Sequence, residues 1–374
     1  MEDILRNFST LNLAAVIACG AALAATACGK KDAAAPAAQA PKTVEAPAGE
    51  AAPPALDRAK LSAFAALPGE VTAASGPASD ALVQLGKMLY FEKRLSKNHD
   101  VSCNSCHMLD KGGVDGSATS SGHKAQKGGR NAPTVFNAAL HTAQFWDGRA
   151  KDVEAQAKGP ILNPIEMAMP NPEAVIAVLN SMPEYVSAFQ AAFPGQAAPV
   201  SYDNLGIAIG AFERKLTTPG RFDAFLKGDD KALTDDEKVG LATFLDTGCA
   251  SCHTGAAVGG GMFQKLGLVK PWPDLKDNGR FDATKDEADK FKFKVPSLRQ
   301  IADTAPYFHD GSVKTLDEAV KLMAAHQLGK DLDEGKIKSI VTFLKALSGE
   351  ANKDLTAEPK LPASTETTPK ADPS

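Results

Sequence analysis

The spacing of apolar residues predicts helices along most of the chain. The segment SDALVQLGKMLYFEKRL opens with a Ser79 cap and then repeats apolar residues at the spacing of one helix face. The segment LTDDEKVGLATFLDTG offers Thr234 and Glu237 as a capping box and ends at Gly248. Alternating strand patterns are almost absent. We therefore predict a mainly α fold.

An apolar run near the N-terminus, Leu11 to Ala27, has the shape of an export signal. It ends at Cys28 after small residues, which is typical of a bacterial lipoprotein, so we assign residues 1–28 to a lipoprotein-type export signal. The acidic Glu2 beside the start is atypical of such a signal. The alternative, a membrane-spanning helix, is disfavoured because the run is shorter than the roughly 20 residues that a span needs.

Two segments of biased composition flank the helical body. Residues 29–57 are largely Ala and Pro and cannot bury a core, so we predict a tether. Residues 351–374 have a similar composition and are predicted to be a disordered tail. The body between them is long enough for more than one domain, at roughly 100–200 residues each. The net charge of −4 argues against a basic face for nucleic acid.

The chain contains an internal repeat. Residues 132–155 align with the segment that begins at Val295, and both copies contain a Phe-x-Asp-Gly sequence, at 145–148 and 308–311. Each copy follows a Cys-x-x-Cys-His sequence. Self-similarity at a long period indicates a repeated structural unit. We therefore predict two similar domains.

The two Cys-x-x-Cys-His sequences are typical of covalent c-type haem attachment. They comprise Cys103, Cys106 and His107 in the first half, and Cys249, Cys252 and His253 in the second. Each thiol can form a thioether with the porphyrin edge, and the following imidazole then serves as the proximal iron ligand. A redox disulfide would not require His at the same place twice. A four-cysteine zinc site is disfavoured because each pair has its own copy of the flanking repeat.

Longer segments resemble the bacterial di-haem cytochrome c peroxidases. They include LGKMLYFEKRLS, QKGGRNAPTVFNAA, QFWDGRAKDVEAQAKGPILNPIEM and TAPYFHDG, and the resemblance covers about residues 80–350. It implies two cytochrome c-like α domains, each with a covalently bound haem, with the haems near the domain interface. We assign residues 58–228 to an N-terminal peroxidatic haem c domain and residues 229–350 to a C-terminal electron-transfer haem c domain.

The resemblance also implies the reaction, which is reduction of hydrogen peroxide to water with electrons from a small c-type cytochrome or a cupredoxin. Two alternatives stay open. One is a non-catalytic di-haem electron-transfer protein. The other is a related di-haem oxidase that matures a partner protein's quinone cofactor. Those oxidases carry Tyr where this chain has Met323, so the methionine favours the peroxidase.

The resemblance implies different axial ligands for the two irons. His107 would be the proximal ligand of the peroxidatic iron, and His123 in SSGHKAQKGG matches a removable ligand on its other face. His253 and Met323 would ligate the electron-storing iron. On helical spacing alone Met323 fits a core position, and His326 is the rival ligand.

Further residues match catalytic, interdomain and calcium positions of the family. Glu166 in NPIEMAM would be the acid/base that moves a proton during peroxide cleavage. Gln156 would hydrogen-bond the peroxide, and Trp146 would lie between the haems. The implied calcium ligands, which act through oxygen atoms, are Asn131, Thr304 and Pro306.

The N-terminal segment bears on location and assembly. Cys28 and the Ala/Pro tether depart from the simplest soluble members of the family and favour a periplasmic enzyme with a lipid anchor at that cysteine. We expect two haem c groups and calcium as cofactors, and a homodimer as the assembly.

Overall fold

The computed structural model describes residues 55–374. The predicted export signal and residues 29–54 of the predicted tether lie outside the described residues. Within the described range, every helix is too short or too polar to cross a bilayer.

Helices dominate the described part of the chain, so the prediction of a mainly α fold is confirmed. The helices are α1 (Asp80–Phe91), α2 (Cys103–Cys106), α3 (Val153–Leu162), α4 (Pro172–Asn180), α5 (Pro183–Ala192), α6 (Tyr202–Glu213), α7 (Arg221–Leu226), α8 (Asp235–Thr247), α9 (Phe281–Thr284), α10 (Leu316–Leu328), α11 (Glu334–Lys345) and α12 (Lys353–Thr356). Two short antiparallel strands, β1 (Phe263–Lys265) and β2 (Lys292–Lys294), form a small sheet.

Buried apolar side chains form two clusters. The first takes its buried members from residues 83–216 and packs α1 against α5 and α6. The second draws on residues 222–347, joined by Phe64, and packs α11 against α8 and α10. Each cluster therefore packs against the first cysteine of one Cys-x-x-Cys-His sequence, Cys103 in the first case and Cys249 in the second. The predicted domain boundary at residues 228 and 229 stays a prediction.

A glycine permits a close helix crossing in each half. A Cβ added to Gly86 of α1 would lie 1.8 Å from the carbonyl oxygen of Ala208 in α6. A Cβ added to Gly240 of α8 would lie 2.2 Å from the carbonyl oxygen of Ser339 in α11. Because a close-packed interior has no spare volume at such contacts, only glycine fits. In each half, the helix that precedes the Cys-x-x-Cys-His sequence thus crosses a later helix closely.

The internal repeat is also a structural repeat. Phe145 and Phe308, at matching positions, have φ angles of 67° and 69°, and Gly148 and Gly311 have 69° and 63°. Bulky residues rarely adopt positive φ. Agreement at such uncommon values indicates that both copies form the same tight turn.

Residues 351–374 differ from the predicted disordered tail. Leu355 and Leu361 pack against the first apolar cluster. Arg94 Nη2 donates a hydrogen bond to the carbonyl of Pro362 at 2.8 Å. The composition of this segment precludes a core of its own, but its few apolar side chains bind to a surface that the first half supplies.

Candidate active site

The first Cys-x-x-Cys-His sequence lines a large cavity. The turn of α2 is fixed at its start, where Ser102 N donates to Ser105 Oγ at 3.0 Å. Cys103, Cys106 and His107 then face a cavity of 810 Å³. Small-molecule sites in proteins are roughly 300–1,000 Å³. The cavity is therefore large enough for a cofactor.

The imidazole of His107 is oriented as a metal ligand. Its Nδ1 lies 3.0 Å from the carbonyl oxygen of Pro133. If Nδ1 donates this hydrogen bond, Nε2 keeps the free lone pair, which is the usual arrangement of an iron- or zinc-ligating histidine. Burial lowers the pKa of His107, so the ring is neutral near pH 7. The geometry fits a proximal haem ligand.

The second Cys-x-x-Cys-His sequence lines a second cavity, together with Met323 of α10. His253 Nδ1 is buried and has no hydrogen-bond partner among residues 55–374. Burial lowers the pKa of His253 to about 4. Within the described residues, no disulfide joins any of the four motif cysteines. Because the two cysteine pairs line different cavities, they do not form a common zinc site.

His326, the rival ligand, points elsewhere. Its Nδ1 lies 3.0 Å from the carbonyl oxygen of Pro271 and 3.2 Å from that of Lys270. Its ring also contacts that of Trp272, with centroids 5.0 Å apart. His326 is not among the described residues that line the second cavity, whereas Met323 is.

Glu166 and Gln156 line the first cavity. Asn163 Nδ2 donates to Glu166 Oε1 at 2.8 Å and holds the carboxyl group in place. Burial raises the pKa of Glu166, and the Arg149 charge and the Asn163 hydrogen bond oppose that rise. A carboxyl group with a raised pKa exchanges protons more readily near neutral pH. By contrast, no carboxylate of the described residues lines the second cavity.

His123 lies beside the first cavity, outside the set of described residues that line it. Its backbone N donates to the carbonyl of Glu166 at 2.8 Å, and its buried Nδ1 has no partner in the described part of the chain. The next two residues, Lys124 and Ala125, have φ angles of 55° and 56°, which non-glycine residues adopt at a cost. His123 therefore lies on a strained loop that is hydrogen-bonded to the backbone of Glu166, and its role as a ligand stays a prediction.

Trp146 lies in a wall that both cavities share. Trp146 Nε1 donates to the carbonyl of Asn131 at 2.9 Å. Its ring meets the ring of His309 edge-on, with centroids 6.4 Å apart. The same wall contains Lys294 and His141. Any electron that passes directly between the cavities crosses this wall.

The three predicted calcium ligands all line the second cavity, and one of them, Asn131, also lines the first. Asn131 donates from Nδ2 to the carbonyl of Ser117 at 3.0 Å, and Thr304 donates from Oγ1 to the carbonyl of Ile301 at 3.3 Å. Asn131, Thr304 and Pro306 bring only neutral oxygen atoms, which are ligands that calcium accepts.

Three buried groups of the cavities have no counterpart in the sequence predictions: Glu213, Lys294 and His141. Burial, helped by Glu154, raises the pKa of Glu213 to about 8. Burial lowers the pKa of Lys294 to about 8. Only the position of Glu213, a carboxylate at the unfavourable C-terminal end of a helix, offered a signal in the sequence.

Comparisons with known proteins agree on one family. Residues 80–231 match the family model described as di-haem cytochrome c peroxidase. The chain is 50% identical over 314 residues to the cytochrome c551 peroxidase of Pseudomonas aeruginosa, which covers 82% of this chain and 90% of that protein. It is 47% identical over 299 residues to the cytochrome c551 peroxidase of Nitrosomonas europaea, with coverages of 79% and 88%.

More distant relatives carry the MauG name. The methylamine utilization protein MauG of Methylorubrum extorquens is 34% identical over 74% of this chain and 80% of that protein. Among solved structures, a MauG-like protein associated with microbial copper homeostasis has a TM-score of 0.68 at 30% identity, covering 78% of this chain and 95% of that one.

Proposed function

The chain belongs to the di-haem cytochrome c peroxidase family, and from that premise we propose how its two cavities divide the reaction. The protein is an oxidoreductase that reduces hydrogen peroxide with electrons from a small redox protein. We assign peroxide binding and cleavage to the first cavity and electron storage to the second. The observation that carries this assignment is the placement of Glu166 and Gln156, which line the first cavity, while the described lining of the second lacks a carboxylate.

The two Cys-x-x-Cys-His sequences would hold the two haem c groups, with His107 and His253 as proximal ligands. When bound, each haem supplies an iron that changes oxidation state by one electron, and the first also offers a coordination position for peroxide. The fit is supported by the His107 hydrogen bond to Pro133, which leaves Nε2 free, and by the second cavity, which His253 lines together with Cys249 and Cys252.

Glu166 would move the proton that peroxide cleavage requires. Reduction of one peroxide to two waters consumes two electrons and two protons, and the departing oxygen must receive a proton as the O–O bond breaks. The Glu166 carboxylate can accept the proton from one peroxide oxygen and donate it to the other. Asn163 orients the carboxyl group, and the Gln156 amide can hydrogen-bond the substrate. A positioned acid/base of this kind contributes about 10²–10⁴-fold in rate.

His123 and Met323 would control access to the two irons. Met323 would complete the ligands of the second iron and exclude peroxide from it. His123 would cap the first iron in the resting state and leave when the second is reduced. The strained backbone at Lys124 and Ala125 supports a loop with two arrangements.

The remaining assignments extend the same proposal. Trp146 would carry electrons through the shared wall, and Asn131, Thr304 and Pro306 would bind calcium beside the second cavity. The donor would be a small c-type cytochrome or a cupredoxin. The enzyme would be a periplasmic homodimer, held at the membrane through a lipid on Cys28.

The test is peroxide turnover by the purified holoprotein with a reduced small c-type cytochrome as the donor. Glu166→Gln should lower kcat by about 10²–10⁴-fold, because Gln keeps the shape but cannot transfer the proton. Glu173→Gln, an exposed carboxylate on α4, is the matched control and should turn over like wild type. Haem absorbance of all three proteins should agree.

Two results would contradict the proposal. Wild-type turnover by Glu166→Gln would remove this residue from the proton path. A wild-type holoprotein that exchanges electrons with the donor but consumes no peroxide would favour the non-catalytic electron-transfer protein.

A further inference from the structure

The wall between the two cavities contains a buried lysine without a carboxylate partner. Lys294, the last residue of β2, is 5% exposed, and burial is the only influence that moves its pKa. Nearby carboxylates are engaged elsewhere: Asp147 and Asp277 pair with Arg130. Buried lysines are almost always paired, because an isolated buried charge is costly.

Within the described residues, the one hydrogen bond of the Lys294 ammonium is with His141. Lys294 Nζ lies 2.9 Å from His141 Nδ1. An ammonium group can only donate, so Nδ1 must accept and the imidazole proton must be on Nε2. His141 Nε2 is buried and has no hydrogen-bond partner in the described residues. Gly260 packs against the ring, where a Cβ would lie 2.2 Å from His141 Cδ2, so the imidazole has little freedom to turn away.

The hydrogen bond to His141 leaves the Lys294 ammonium with two unused N–H donors, which lie on the opposite edge of the imidazole from Nε2–H. Both residues line the first cavity and the second cavity. A buried ammonium group whose remaining donors have no acceptor is satisfied by a ligand with acceptor atoms, and its positive charge favours an anion.

We propose that the Lys294 ammonium, held in place by His141, forms an anion site in the wall between the two cavities, and that its ligand is an oxyanion. Two sources share this chemistry. One is a carboxylate side chain of the haem groups held in the cavities, and the other is a free inorganic anion such as phosphate. The inference goes beyond the peroxidase assignment, because it concerns the effect of the Lys294 charge on the midpoint potentials of both redox centres.

The charge at this site should tune the redox centres. A cation disfavours the ferric state, which carries one more positive charge than the ferrous state, so it raises the midpoint potential of a nearby haem. The site is tied to the shared tryptophan, because Lys294 N donates to the carbonyl of Trp146 at 2.8 Å. Removing the cation should therefore lower both midpoint potentials.

The experiment is a spectroelectrochemical titration of the holoprotein. Lys294→Gln should lower the midpoint potentials of both haems relative to wild type, and Lys294→Arg, which keeps the charge, should restore them. Lys292→Gln is the matched control. Lys292 lies two residues earlier on β2, is paired with Asp289 at 3.1 Å and lines neither cavity within residues 55–374. Its loss should leave both potentials unchanged.

Inorganic phosphate, varied at constant ionic strength, identifies the source of the anion. If the anion is free phosphate, the wild-type potentials will vary with its concentration and those of Lys294→Gln will not. If the anion is a haem carboxylate, the difference between wild type and Lys294→Gln will be the same at every concentration.

Equal potentials in wild type and Lys294→Gln under all conditions would overturn the proposal. Should Lys294→Gln fail to attach haem, Lys294→Met, which keeps the length of the side chain without its charge, replaces it and must lower the potentials, or the site is refuted. Peroxide turnover by the wild type is measured separately. A failure of the anion site is therefore distinguishable from a failure of the proposed function.

Discussion

Replacing Glu213 with glutamine should stabilise the protein at neutral and alkaline pH. Glu213 ends α6, is 6% exposed and lines the first cavity. The charge of the adjacent Arg214 only partly opposes the rise in the pKa of Glu213, because Arg214 Nε donates to Glu154 Oε1 at 2.7 Å and not to Glu213. Burial, with a further contribution from the Glu154 charge, raises the pKa of Glu213 from 4.5 to about 8.

The size of the effect follows from the two pKa values. Below pH 4.5 the carboxyl group is protonated in the folded and the unfolded chain, and its ionisation costs nothing. Between pH 4.5 and 8 the folded chain retains a proton that the unfolded chain releases, so folding loses about 1.4 kcal/mol for each pH unit. The loss is about 3 kcal/mol at pH 7 and levels off at about 5 kcal/mol above pH 8.

The assay is guanidinium-induced unfolding of the holoprotein between pH 5 and pH 9. Glutamine stays neutral, so the free energy of unfolding of Glu213→Gln should exceed that of wild type by a margin that is small at pH 5 and rises towards pH 8. As a control, Glu350→Gln removes an exposed carboxylate outside the helices and should change the free energy of unfolding by less than about 0.5 kcal/mol. A difference between Glu213→Gln and wild type that is independent of pH would refute this reasoning.

Two further substitutions test the helix crossing and the ligands of the second iron. Gly240→Ala should destabilise the protein by about 1–3 kcal/mol through overpacking against Ser339 and lower the melting temperature. Gly335→Ala is the control, because its Cβ would meet only a side-chain oxygen at 3.3 Å, and it should not lower the melting temperature. Equal melting temperatures of the two variants would argue against the close crossing. In an electrochemical titration, Met323→Ala should lower the midpoint potential of the C-terminal haem, and His326→Ala should leave it unchanged. The opposite result would make His326, and not Met323, the axial ligand.

The sequence predicted those features that depend only on residues close together in the chain. A Cys-x-x-Cys-His sequence specifies two thiols and an imidazole within one turn, whatever surrounds it. The helices on either side follow from caps and apolar spacing, and α8 begins after Thr234 and ends before Gly248, as the pattern indicates. The family was also identified from contiguous segments. The roles of individual residues, including Glu166 and Met323, stay predictions.

The tail shows where composition misleads. Residues 351–374 lack the apolar content for an independent core, which is all that composition can report. Leu355 and Leu361 nevertheless contact the first apolar cluster. Whether a segment with few apolar residues is held in place depends on the surface that other residues provide, and that surface exists only after folding.

Tertiary structure alone decided which groups face the cavities. Lys294 and His141 are separated by 153 positions in the chain, and no local pattern relates a strand-end lysine to a histidine after a short turn. The same holds for Glu213, whose pKa is raised chiefly by burial. Charge in a protein interior is governed by distance and solvent exclusion, and both are properties of the folded chain. The sequence therefore determined the covalent anchors and the helices, while folding determined the electrostatic surroundings of the two cavities.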